Sequence, residues 1–273
     1  MPVRIVTDSS ASLSEDVIEE LGITVVDLHV MEDEERHEAF TSGLSALELT
    51  AAYARQLERG GDEGVLALHL SKNLSSTWSA AVQAAAVFPD NMVRVLDTGS
   101  VGMAIGAAAM AAAKLASQGK DLDTCQEMAI DTLERSSTWI YLHRIDEIRK
   151  SGRISATTAV LSAALLATKP IMQIKDGRLE LVGKTRTQSK AFTKLVELVI
   201  ERAHEDPVFI AIQHNEAEES AGDLRDMFEE VLPEGSSFMT MPMEETLSVH
   251  TGEGAVGVSA VFADRPEDFS TVS

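Results

Sequence analysis

The sequence predicts an α/β protein of two domains. Residues 1–149 are expected to form an N-terminal, mostly parallel sheet with helices on both faces, and residues 150–273 a C-terminal α+β domain with a mixed sheet. Three observations carry this expectation. Short β-branched runs alternate with helical runs through the first half, the pattern of parallel strands joined by crossover helices. Lys150-Ser151-Gly152-Arg153 then breaks the alternation. Beyond the break, Asp176-Gly177 separates two strand-like runs, and glycine accepts the positive φ that a type I′ hairpin turn requires.

The elements follow in order. A strand at 4–7 leads into Asp8-Ser9-Ser10 and a helix over 14–21, closed by Gly22. Residues 23–30 read as one strand and 32–38 as an acidic loop. A helix over 45–60 precedes the strand 65–70, a Ser/Thr-rich turn and a helix over 75–87. The strand 92–96 feeds Asp97-Thr98-Gly99-Ser100, an Ala-rich buried helix within 101–115 and a helix over 124–135. The second half is expected to hold a small-apolar helix at 156–167 and strands at 169–174 and 179–182. A helix at 189–204, a strand at 208–213, a helix at 218–231 and a last strand at 255–262 complete it.

Composition narrows the function. With 44% hydrophobic but only 4% aromatic residues, the core is built from Ala, Val, Leu, Ile and Met. A net charge of -21 argues against a nucleic-acid partner, which needs a dense Lys/Arg surface, and against basic-patch docking on anionic membrane. The lone Cys125 offers no intrachain disulfide and no CxxC pair for zinc. The start, Met1-Pro2-Val3, runs into a strand without a signal-peptide pattern, and the apolar run 101–115 is too short to span a bilayer. The expectation is a cytoplasmic protein without membrane insertion. No P-loop, HExxH or GxSxG motif is present, and no nucleotide, metal or other cofactor and no catalytic residue is assigned.

In an open α/β sheet, ligands gather at the carboxyl ends of the strands. Asp8-Ser9-Ser10, Ser71 through Thr77 and Asp97 through Ser100 stand at such ends, and Phe40-Thr41-Ser42-Gly43 enters a helix. Hydroxyls and free N–H groups at a helix start suit an anionic oxygen, and equally suit simple capping. His29 and His69 read as core or sheet-end residues. His250, in Ser248-Val249-His250-Thr251-Gly252-Glu253-Gly254, sits beside a Gly-rich turn that lets backbone approach a ligand.

These turns, in this order, resemble the DegV family of fatty-acid-binding proteins. The matching pieces include Ile5 through Ser10, Thr41-Ser42, Leu70 through Trp78, and Ile148 through Ser155. Lys169-Pro170-Ile171 through Gly177, Gly183 through Thr187 and His250 through Ala255 complete the set, which spans the chain. The resemblance implies a long-chain acyl ligand such as palmitate, buried by two α/β domains, with its carboxylate held by Thr41, Ser75 and His250. Ser71 and Ser76 are further candidates in the same turn. It also implies a role in lipid transport or fatty acid metabolism, the carboxylate being presented to a separate fatty acid kinase. Arg153 and Arg186 are then candidates for partner docking, or plain solvent-facing charges. The chain departs from the family pattern at Lys72, at Gly43-Leu44 where a proline is usual, and in the short segment before Thr41. The competing expectations are an enzyme at the same cleft, a phosphotransferase subunit or an esterase, and a regulator that senses another carboxylate.

Overall fold

A computed structural model describes residues 2–33, 38–89, 91–154 and 167–263. The first sheet has the order β2-β1-β5-β6, all parallel, from β1 (Arg4–Asp8), β2 (Thr24–Val26), β5 (Val65–His69) and β6 (Val93–Asp97). Helices α2 (Ala46–Gly60) and α3 (Thr77–Ala85) pack together as one layer. Helices α1 (Glu15–Leu21), α4 (Met103–Ser117) and α5 (Leu122–Glu134) form the other. All five residues of β5 are buried, as a central strand covered on both faces must be. A full capping box starts α2, with the Ser45 hydroxyl accepting from Glu48 N–H and Glu48 reaching back to Ser45 N–H.

The second sheet has the order β11-β10-β12-β7-β8-β9. Its strands are β7 (Ser136–Tyr141), β8 (Lys169–Lys175), β9 (Arg178–Thr185), β10 (Phe209–His214), β11 (Ser237–Pro242) and β12 (Val256–Val261). Only β10 and β11 run parallel, so the sheet is mixed as expected. Helices α7 (Gln188–Ala203) and α8 (Glu218–Val231) cover its outer face, while its inner face turns toward α4. A short helix α6 (Asp146–Ser151) follows β7, and α9 (Glu245–Thr251) precedes β12.

Several expectations need correction. The chain changes sheet at Arg135, ahead of the expected break at Lys150, because β7 already pairs with β12 and β8. The Lys150–Arg153 signal marks instead the end of α6, where Gly152 takes the left-handed cap conformation. The single strand expected over 23–30 is two strands, β2 and β3 (His29–Asp33). Part of the expected acidic loop is strand, since β3 pairs with β4 (Glu38–Ser42) in an antiparallel hairpin. The helix expected over 156–167 lies, Ala167 apart, outside the described residues. Among the described residues, no helix is long and apolar enough to cross a membrane.

Two polar devices hold the sheet ends in place. Asp8 is fully buried, with Oδ1 accepting from Ser10 N–H at 3.1 Å and from the Ser10 hydroxyl. Its Oδ2 accepts from Leu70 N–H at 3.1 Å and meets His69 Nδ1 at 2.9 Å, while His69 Nε2 lies 2.8 Å from the Tyr53 hydroxyl. This closed set ties β1, β5 and α2 together, and losing one member of such a buried set costs about 3–5 kcal/mol. The second device joins the two halves. The Ser71 hydroxyl donates to Gly177 O at 3.0 Å, and Asn73 Nδ2 donates to Asp176 O at 3.0 Å. Asp176 and Gly177 have φ of 48° and 72°, as a type I′ turn demands. A Cβ on Gly177 would stand 2.1 Å from Ser71 Oγ, so the contact itself also requires glycine.

Candidate functional site

A cavity of about 270 Å³ opens among β4, the turn after β5, the inner face of the second sheet, α6 and α9. That is close to the lower end of small-molecule pockets, about 300 Å³. Its walls are mainly apolar, with Leu28, Leu70, Leu74, Ile140, Ile174 and Leu179 among them. Its polar groups are unevenly placed. Thr41, Ser42, Ser75, Ser76, Arg153 and His250 line it, and Thr41 and His250 are bonded to each other.

Thr41 lies near the end of β4, and the β3–β4 hairpin rests against α9. Its Oγ1 is 2.7 Å from His250 Nε2, a contact joining residues 209 apart in the chain. Burial, helped by the nearby Arg153 charge, pushes the His250 pKa down to about 4. The ring is therefore neutral near pH 7, with one nitrogen donating and the other accepting. A carboxylate arriving beside it favours the protonated form and raises that pKa again.

Ser75 lies 3.0 Å from Thr77 Oγ1, oxygen to oxygen, and accepts from Thr77 N–H at 3.2 Å. Thr77 Oγ1 in turn accepts from Leu44 N–H at 3.2 Å, which fastens the segment after β4 to the start of α3. This packing explains the glycine at position 43. A Cβ there would stand 2.8 Å from Ser76 Oγ, 3.0 Å from Thr77 Oγ1 and 3.1 Å from Ser75 Oγ. The glycine lets Thr41 and the Ser75-Ser76 turn share one edge of the cavity.

Thus Thr41, Ser75, Ser76 and His250 come together, whereas the other expected site residues do not all join them. Ser71 is fully buried, is bonded to Gly177 and Asn73, and does not line the cavity. Arg153 reaches the cavity while its guanidinium bonds to Ser151 O. Arg186 is exposed between β9 and α7, away from the cavity. Lys72 points to Asp97, at 2.8 Å, and over the Trp78 ring, 5.3 Å from its centroid, so it adds no cation to the cavity.

Two of the four hydroxyl turns are structural. Ser9 and Ser10 close the start of a buried helical turn, and Thr98 Oγ1 donates to His69 O at 2.7 Å. His69 is a core residue, and His29, the first residue of β3, is a half-exposed sheet-end residue that pairs with Glu48 at 2.7 Å; both agree with expectation. Among the described residues no group of His, Cys, Asp and Glu is arranged to hold a metal ion. Sequence reasoning missed Gln213, Thr246 and Thr138, which also line the cavity. A glutamine directly after the apolar run Phe209 through Ile212 was the one available signal.

Comparison with known proteins bears on this arrangement. A family model described as "Uncharacterised protein, DegV family" matches residues 31–263. The chain belongs to the DegV family. A DegV domain-containing protein of Corynebacterium glutamicum is 64% identical over 271 residues, covering 99% of this chain and 98% of the relative. The crystal structure of a DegV family protein from the same species superposes with a TM-score of 0.94 at 63% identity, covering 97% of this chain and 98% of that one. A Thermus thermophilus DegV protein, whose structure is described as fatty acid binding, has a TM-score of 0.88 at 25% identity. It is covered over its full 100%, against 96% of this chain. A Bacillus subtilis DegV, described as a fatty acid binding protein, has a TM-score of 0.84 at 25% identity, with coverage of 96% and 99%. The DegV architecture, a parallel sheet followed by a mixed sheet, is therefore that of this chain.

Proposed function

We propose that this DegV protein binds a long-chain fatty acid such as palmitate, with its carboxylate at Thr41, Ser75, Ser76 and His250 and its chain in the apolar cavity. The observation that carries the reading is the grouping of the Thr41–His250 pair and the Ser75-Ser76 turn at one apolar cavity. Relatives at 25% identity that are described as fatty acid binding support it. Energetics agree. Each buried methylene contributes about 0.8 kcal/mol, roughly 10 kcal/mol for a long chain before ordering costs. An unpaired carboxylate would cancel several kcal/mol of that. Three hydroxyls and a histidine supply the hydrogen bonds that avert this cost.

The finer part of the reading is that the protein works in the cytoplasm in lipid transport or fatty acid metabolism. There it presents the carboxylate to a separate fatty acid kinase, with Arg153 and Arg186 at the docking surface and no cofactor of its own. Arg153 suits that place, because it lines the cavity beside His250. Arg186 is supported only by its exposure and by the family resemblance.

Mass spectrometry of organic extracts from the purified protein tests the binding reading. A long-chain fatty acid in stoichiometric amount is expected. The absence of both a co-purifying acid and any uptake on incubation with palmitate would contradict it.

A further inference from the structure

The cavity holds donors that carboxylate recognition does not use. Gln213 pairs with Gly257 in the ladder, and Gly257 with Ile140, so the three residues stand in one row across β10, β12 and β7. All three line the cavity. Gln213 Oε1 accepts from Met103 N–H at 3.1 Å, at the first residue of α4. An N–H donor requires the oxygen there, which fixes the amide orientation and leaves Nε2, with its two hydrogens, on the other side. The side chain is 3% exposed, and Nε2 has no hydrogen-bond partner among the described residues.

Thr246 repeats the observation from another element. It is 6% exposed, lines the cavity, and its Oγ1 has no partner among the described residues. It lies one helical turn before His250 on the same face of α9, about 6 Å along the axis. Trp139 also borders the cavity and its indole nitrogen is unpartnered, but it pairs with Val258 and its ring packs against Phe262 in the outer core of the second sheet. Alternation along the strand thus turns its ring away from the face that carries Ile140. The cavity donors are those of Gln213 and Thr246.

A saturated hydrocarbon chain offers these groups no acceptor, and buried donors left unmet are costly. We propose that the cavity selects an acyl chain bearing an oxygen along its length, a hydroxyl or keto group. Gln213 Nε2 donates to that oxygen and the Thr246 hydroxyl completes the contact. This deepens the fatty-acid reading of the same site and rests on it.

The test is calorimetric titration of the full chain with octadecanoic acid and with series of its monohydroxy and monoketo derivatives that differ in oxygen position. At least one oxygenated acid is expected to bind about tenfold tighter than octadecanoic acid, the worth of one or two good hydrogen bonds. In Gln213→Met that ratio is expected to fall close to one. In Thr246→Val, which keeps the shape of the side chain, it is expected to fall about threefold. Gln213→Met also removes the acceptor for Met103 N–H, so Thr246→Val keeps the test decisive should the first variant misfold. A wild type with no preference for any oxygenated acid, or a preference that persists in both variants, overturns the inference. Tight octadecanoic acid binding without an oxygen preference leaves the fatty-acid reading standing. Failure of every acid to bind removes both.

Discussion

Replacing Thr41 and Ser75 together with alanine is expected to weaken long-chain acyl binding by roughly 100-fold or more, with the fold retained. Hydrogen bonds to a charged group contribute about 1.5–3 kcal/mol each, and two are lost. The structural cost is smaller. The Ser75 hydroxyl accepts from Thr77 N–H ahead of α3, and losing one such hydrogen bond costs about 1 kcal/mol, or about 2–4 °C in melting temperature for a protein of this size. The Thr41 hydroxyl has one described partner, His250. Calorimetric titration with palmitate, paired with a thermal melt, separates the two effects. Unchanged affinity in a folded double variant would refute the headgroup assignment.

The second large effect concerns pH. His250 is held at about 4 in the folded protein, against 6.5 for the free side chain. Between these values the unfolded chain takes up a proton that the folded protein refuses. The neutral ring thus contributes stability that is fully present above about pH 6.5 and lost as pH falls toward about 4. The shift corresponds to about 3 kcal/mol at most, and about 2 kcal/mol once solvent screening of the partly exposed ring is allowed for. His250→Gln removes this component. The difference in urea-unfolding free energy between about pH 7 and about pH 4.5 is expected to be smaller in the variant by that amount. Identical pH slopes in the two proteins would contradict the buried neutral histidine. Palmitate is expected to reduce the loss in the wild type, because a carboxylate beside the ring favours its proton.

Much of the fold was legible because its signals are local. The parallel strands β1, β5 and β6 are compact, largely apolar runs followed by polar turns, and Asp176-Gly177 announced its own hairpin. The missed elements lack such punctuation. β7 begins at Ser136, directly after Arg135 caps α5, with no glycine or proline to end the helix. β11 carries two methionines and ends on Pro242, against strand preference. The hairpin β3–β4 was hidden by its acidic residues, which are tolerated because a two-stranded hairpin keeps one face near solvent.

The site divides in the same way. Thr41, Ser75 and His250 were reached through family resemblance, since no spacing rule links residues 209 apart. Ser71 was grouped with them because its hydroxyl looks the same in sequence; only the close approach of Gly177 reveals that it is already committed. Lys72 stands out in sequence only as a departure from the family pattern; Asp97 and Trp78 beside it show where its charge goes. Gln213 and Thr246 gave no motif at all. Their importance comes from burial and from the partners they lack, and neither is encoded in local pattern.

The most direct measurement is a crystal structure of the protein saturated with palmitate. The expected result places one carboxylate oxygen within hydrogen-bond distance of Thr41 Oγ1 or His250 Nε2, the other at the Ser75-Ser76 turn, and the chain along Ile140, Ile174 and Leu179. A palmitate bound elsewhere, or a carboxylate that meets none of these four residues, would contradict the account.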